Sequence, residues 1–325
     1  MNQRKFGRTG LPVSELCLGA MQFGWRTSEA TSFAILDAYR ASGGNFIQTT
    51  TCDPAARSEL DLCRSEEIVG AWLHANAGAR NQTLLSTRMN FSRTLSGTRS
   101  GIGEMVRRQC EESLRRLRTT HLDLLVCEWG DALQPMDDVF SAFGDLLRAG
   151  KLRYVGAAGF PVWRFMEAIG RAGRYGGCRF ESLQADYSLL ERAPFEPDAM
   201  DLARDYRVAL LAQSPLAGGF LTGYYHLPQH PDTARVRRLR ERYGNERGHA
   251  VLDALAEIGA EVQATSAQVA LAWVLAHPTV TSPLLGFFSA EHVHEAVGAT
   301  RLQLSAEQIQ RLNFAGTPPE LSSVS

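Results

Sequence analysis

Short apolar runs alternate with longer segments whose apolar residues recur at helical spacing along nearly the whole chain. The runs predict strands at Leu16–Gly19, Asn45–Gln48, Thr83–Thr87, Leu122–Val126, Leu152–Gly156, Ser182–Gln184, Ala209–Leu211 and Ser282–Leu285. Each is short and mainly apolar, as expected of a strand buried on both faces. Between them, segments such as Ser28–Ala41, Ser65–Ala75, Gly103–Leu117, Met136–Ala149 and Val162–Ala172 predict amphipathic helices. Thr265–His277 adds a strongly apolar helix before the last strand, and Ser305–Asn313 a final one.

Eight strand–helix units in succession predict a parallel (β/α)8 TIM barrel, with residues 1–325 as a single domain. A doubly wound open sheet is the competing architecture, but no GxGxxG follows the first strand, where its dinucleotide fingerprint belongs. Arg4–Phe6 and Leu11–Val13, around Gly7 and Gly10, predict a β-hairpin capping the barrel floor. Chemistry in a barrel sits at the C-terminal ends of its strands. The segments to examine are therefore the loops that begin at Gln48, Arg88, Cys127, Ala157, Ala185, Gln213 and Gly286. The loops Met89–Ile102 and after Gln213 have the length of lids.

Composition narrows the partners. A net charge of -1 and a pI near 6.7 supply no field for nucleic acid or an anionic membrane, so a small molecule held by local groups is expected. Cysteines 17, 52, 63, 110, 127 and 178 form no CxxC pair, which predicts a reduced chain without a structural metal site. The start, MNQRKFGRTG, lacks the apolar core of a signal peptide, and no run reaches the ~18 apolar residues of a spanning helix. A cytoplasmic protein is expected; the oligomeric state is left open.

Seven stretches, in order, resemble the aldo/keto reductase superfamily. They are KFGRTGLPVSELCLGAMQFG at the start, RSEEIVG at 64–70, EESLRRLRTTHLDLL at 111–125, GKLRYVGAAGF at 150–160, LQADYSLLER at 183–192, AQSPLAGGFLTG at 212–223 and SAQVALAWVLAHPTVTSPLLG at 266–286. The resemblance implies a barrel that binds NADPH in extended form across its mouth. It also implies carbonyl reduction by an aspartate, a tyrosine, a lysine and a histidine, with the tyrosine donating the proton as hydride arrives. In this sequence those four positions fall on Gln48, Asp53, Arg88 and Glu128, so no member of the usual tetrad remains.

The cofactor positions implied by the resemblance have changed in part. The Ser-Asn pair of the nicotinamide end reads Ala158-Gly159, and the stacking aromatic reads Gln213. Gln184 is kept, as is the pyrophosphate segment that carries Ser214, Leu216 and Gly218. At the adenosine end Glu295 is kept, while its expected Asn and Gln neighbours are Ala296 and His292, and Phe287-Phe288 follow Gly286.

Arg88 and Glu128 end adjacent strands and are expected to meet over the mouth, with Asp53 able to share Arg88. The group is either a structural ion pair or an acid/base site in which Arg88 holds an anion or oxyanion. Three functions follow. The first is non-reductive acid/base chemistry, such as elimination, epimerisation or cyclisation, on a small oxygenated metabolite, with Arg88 available to an anionic one. The second is an atypical NADP(H)-dependent oxidoreductase, and the third a non-catalytic barrel that senses a ligand or binds a partner. Cys52 is expected to be a bystander, Tyr187 to line the pocket, and the arginine-rich run 234–248 to be a solvated helix or a basic lid joined by Arg93 and Arg99.

Overall fold

The computed structural model describes residues 1–51, 63–91, 101–128, 136–172, 178–193, 195–196, 198–224 and 233–317. Two antiparallel strands, β1 (Gln3–Phe6) and β2 (Leu11–Ser14), form a hairpin. Eight parallel strands follow: β3 (Cys17–Gly19), β4 (Phe46–Thr50), β5 (Leu84–Asn90), β6 (Leu122–Glu128), β7 (Leu152–Ala158), β8 (Phe180–Asp186), β9 (Ala209–Gln213) and β10 (Val280–Leu285). They close in the order β10-β3-β4-β5-β6-β7-β8-β9, the (β/α)8 barrel that the alternation predicts.

The hairpin plugs the N-terminal end. Phe6 and Val13 join Cys17, Phe46, Leu84, Leu124, Val126, Ala158, Ala209 and Leu211 in one buried cluster that fills the barrel. Phe6 meets Phe46 edge to face at 5.9 Å. Gly7 turns left-handed (φ +49°) where a Cβ would lie 2.5 Å from the Arg207 carbonyl oxygen, so only glycine lets the hairpin sit this close to β9. Arg8 then clamps Glu181 with two hydrogen bonds of 2.9 and 2.6 Å.

The strands run further toward the mouth than the apolar runs suggest. The ladder continues through Thr49-Thr50, Arg88–Asn90, Cys127-Glu128, Ala157-Ala158, Ala185-Asp186 and Gln213, all polar or small except the buried Met89. Parallel pairing needs only backbone groups, and inward polar side chains at the mouth have partners across the barrel. The candidate residues therefore stand on strands, where the sequence places loops. Side-chain alternation sets their direction. Leu84, Ser86, Arg88 and Asn90 share one face of β5, and Leu84 belongs to the interior cluster, so the whole set points inward.

The same alternation sends Tyr187 outward. Its ring stacks between Phe195 (4.4 Å) and Trp273 (5.2 Å), and its hydroxyl donates to Glu196 at 2.7 Å. It packs the outer shell and does not line the mouth. Its neighbour His277 accepts from the Thr279 hydroxyl at Nδ1, 2.9 Å away, and burial lowers its pKa from 6.5. A histidine depressed in the folded state binds fewer protons there than when unfolded, so its contribution is present above pH 6.5 and is lost as pH falls through the folded value. Urea midpoints should drop between about pH 7.5 and pH 5.5. His277→Gln, which keeps a neutral acceptor, should flatten that slope, only in part because His121 is depressed in the same direction.

Candidate functional site

The mouth is built from residues that alternation points inward at the ends of β4, β5, β6, β8 and β9. Gln48 donates from Nε2 to Gln184 Oε1 at 3.0 Å, and Gln184 donates from its own Nε2 to Gln213 Oε1 at 2.9 Å. Arg88 donates to the same Gln213 oxygen at 2.9 Å and pairs with Glu128 at 2.5 Å. Asn90 donates to the other Glu128 oxygen, again at 2.5 Å. Six side chains from five strands thus form one hydrogen-bonded line across the barrel. Because arginine can only donate, Arg88 fixes which end of each glutamine amide points where.

Burial grades along this line. Gln184 is fully buried, Gln48 2% and Arg88 9% exposed, whereas the Glu128 side chain keeps 30% of its surface. Glu128 is therefore the ionisable member nearest solvent. One of its oxygens accepts a charge-assisted hydrogen bond from Arg88 and the other an amide hydrogen bond from Asn90, and each keeps a further lone pair.

Arg88 and Glu128 meet as their adjacent strand ends predict, and Gln48 is linked to them through Gln184 and Gln213. Asp53, Cys52, Arg93 and Arg99 lie outside the described residues. Cys17, Cys110, Cys127 and Cys178 are buried, and burial pushes the Cys110 and Cys178 thiols up to about 12, so these four are packing groups and not nucleophiles. Asn90 and Asp186 are not among the candidates read from the sequence, and Gln213, there a replaced stacking aromatic, takes part as a hydrogen-bond acceptor. Asp186 shares the inward face of β8 with Gln184, and its Oδ1 is buried without a partner. Period-two counting outward from Gln184 and Arg88 would have found both Asp186 and Asn90.

The cofactor positions are scattered. Ser214 begins the loop after β9 in a left-handed conformation (φ +51°), followed by Leu216, Ala217, Gly218 and Gly219, the last three also left-handed. The helix Ala234–Tyr243 lies over this loop: Arg235 donates to the Gly218 carbonyl at 2.6 Å, and a Cβ on Gly218 would approach Leu239 to 2.9 Å. Its arginines 235, 237, 238, 240 and 242 are exposed. Glu295 sits on the helix Ala290–Ala299, its carboxylate accepting from Thr265 at 2.8 Å.

A family model for the aldo/keto reductase family matches residues 15–315. The chain belongs to the aldo/keto reductase family. It is 32% identical over 320 residues to the uncharacterized oxidoreductase YrpG of Bacillus subtilis, covering 96% of this chain and 95% of that one. It is 29% identical over 336 residues to Protein tas of Escherichia coli, covering 96% of each. It is 28% identical over 347 residues to the versiconal hemiacetal acetate reductase of Aspergillus parasiticus, covering 98% of each.

Members of this family typically bind NADP(H). The residues that would meet the nicotinamide here do not fit it. Gln184 has no exposed surface, and its amide oxygen already accepts from Gln48 while its nitrogen donates to Gln213. Ala158 is buried and offers no polar side-chain atom, and Gly159 adds none. The backbone of Ser214–Gly219 keeps a conformation suited to phosphate oxygens. No helix among the described residues is long and apolar enough to cross a membrane.

Proposed function

We propose that this protein binds a small oxygenated metabolite in the barrel mouth and acts on it by proton transfer rather than hydride transfer. In this reading Glu128 is the base. It takes a proton from carbon beside a carbonyl, and the charge that develops on the substrate oxygen is met by N–H donors of Arg88 or Asn90. Delivery of a proton to the opposite face by a second acid, with Glu128 keeping the one it took, gives an epimer; passage of the proton from Glu128 to a neighbouring hydroxyl, which leaves as water, gives an elimination. Asp53 would be the second carboxylate.

The observation that carries this reading is the six-member line itself. Three positions of the reductive tetrad hold Gln48, Arg88 and Glu128, and they are knitted through Gln184 and Gln213 with no phenol or imidazole among them. Arginine cannot give up a proton near neutrality, so this line contains no acid suited to a nascent alkoxide. The alternative, an atypical NADP(H)-dependent reductase, is supported by the reductase and oxidoreductase names of the relatives and by the Ser214–Gly219 loop.

Calorimetric titration with NADPH, NADP and NADH separates the two. The expected result is no binding heat at high micromolar concentration. Tight NADPH binding, together with substrate-dependent loss of the reduced nicotinamide absorbance, would overturn the proton-transfer reading in favour of the reductase.

A further inference from the structure

The line across the mouth is a ring left open at one place. Gln48 spends its Nε2 on Gln184, and with the amide orientation fixed by Arg88 its Oε1 is the free end. Arg88 spends one terminal nitrogen on Gln213 and the other on Glu128, and its Nε–H is free. Both atoms are buried without any partner, in side chains only 2% and 9% exposed. They stand on adjacent strands, because Gln48 is in register with Ser86, two residues before Arg88 on the same inward face. The Ser86 hydroxyl, in a fully buried side chain, is a third atom without a partner.

One acceptor, one donor and one hydroxyl thus go unmatched together on β4 and β5. Buried polar atoms of this kind almost always have a partner, each unmet one costing about the desolvation of a hydrogen-bonding group. A single hydroxyl answers all of them: its hydrogen goes to Gln48 Oε1, its oxygen accepts from Arg88 Nε, and Ser86 Oγ takes the remaining place. A carboxylate does not, because one of its oxygens would face Gln48 Oε1, acceptor against acceptor. Arg88 also brings no spare charge for an anion, being matched by Glu128 at 2.5 Å.

We infer that Gln48, Ser86 and Arg88 form a subsite for one neutral hydroxyl group, and that the metabolite taken by the mouth is a neutral hydroxylated compound rather than an anionic one. This rests on the proposed binding of an oxygenated metabolite and names its class. The hydroxyl can come from a water or from the ligand, and the test has an arm for each.

The first arm is a high-resolution crystal structure of the full chain. The expected result is a single peak at about 2.7–3.2 Å from both Gln48 Oε1 and Arg88 Nε. A direct Gln48–Arg88 contact that closes the ring would overturn the subsite. The second arm is calorimetry and soaking with erythritol and its carboxylate counterpart erythronate. Erythritol should place a hydroxyl on the peak and bind at least about tenfold more tightly than erythronate. Gln48→Met should erase that preference by weakening erythritol about tenfold, and Ser86→Ala, which leaves the ring intact, should weaken it severalfold.

Erythronate binding as tightly as erythritol would overturn the neutral class. A peak that erythritol never displaces at millimolar concentration would overturn the assignment to a ligand and make this a structural water site. Neither arm depends on turnover, so failure of proton transfer at Glu128 is seen separately, as binding without exchange.

Discussion

Glu66→Ala should destabilise the protein by about 3–5 kcal/mol, read as a fall in the urea midpoint with an unchanged slope. Glu66 and Arg116 form the most deeply buried ion pair among the described residues, with side chains 0% and 5% exposed and 2.7 Å between Nε and Oε2. Glu66 stands on the helix Cys63–Ala75, Arg116 at the end of the helix Ile102–Arg116. The other Glu66 oxygen accepts from the Thr87 hydroxyl at 2.8 Å. One carboxylate therefore ties two helices to the outward face of β5, one residue before Arg88. Removing it leaves a buried guanidinium with the longer Glu112 pair at 3.8 Å and the Ser113 hydroxyl at 3.4 Å, and that poorly compensated charge is the large term.

Burial, outweighing Arg116, raises the Glu66 pKa. A raised carboxyl holds its proton more tightly folded than unfolded, so its contribution is present below the ordinary value of 4.5 and is lost as pH rises through the raised one. At neutral pH the ion pair is thus a costly pair whose breakage is costlier still. Glu66→Leu combined with Arg116→Met should accordingly recover most of the stability that Glu66→Ala loses. A double variant no better than the single one would show that the pair, and not the stranded charge, carries the energy.

The barrel was legible because each strand buried on both faces writes a short, mainly apolar run, and the hairpin because Gly7 and Gly10 bracket its turn. The strand ends were not. At Thr49-Thr50, Arg88–Asn90 and Ala185-Asp186 polar residues continue a ladder that the backbone alone sustains, and composition there resembles a loop. The meeting of Arg88 with Glu128 was legible from adjacent strand ends, since neighbours in a barrel follow sequence order. The links Gln48–Gln184 and Arg88–Gln213 were not, because they cross the barrel between residues 136 and 125 positions apart. Gln213 showed in the sequence as a lost aromatic, whereas in the fold it is the shared acceptor that joins the two halves of the line. Tyr187 misled for a simpler reason: it lies one residue from an inward position, and in a strand one residue is the whole difference between mouth and outer shell.

Glu128→Gln should lower proton exchange by about 10²–10⁴-fold while leaving the fold intact. The substitution keeps the shape and keeps an acceptor for Arg88, but an amide cannot take a proton from carbon. The side chain is 30% exposed and ends β6, so the loss of its charge is not the stranding of a deeply buried partner. Arg88 retains Gln213, and its charge becomes free to act on anions. The measurement is deuterium incorporation at carbon beside the carbonyl, by mass spectrometry, when the protein is incubated in heavy water with a pool of small hydroxy-carbonyl compounds. Wild-type incorporation that Glu128→Gln abolishes makes Glu128 the base. Equal incorporation in both makes the Arg88–Glu128 pair structural and moves the chemistry to another group. If neither exchanges, proton transfer is not the activity of this mouth. The same variant also separates charge from shape: an anionic ligand rejected by the wild type and admitted by Glu128→Gln would mean that the pairing of Arg88 by Glu128 is what closes this barrel to anions.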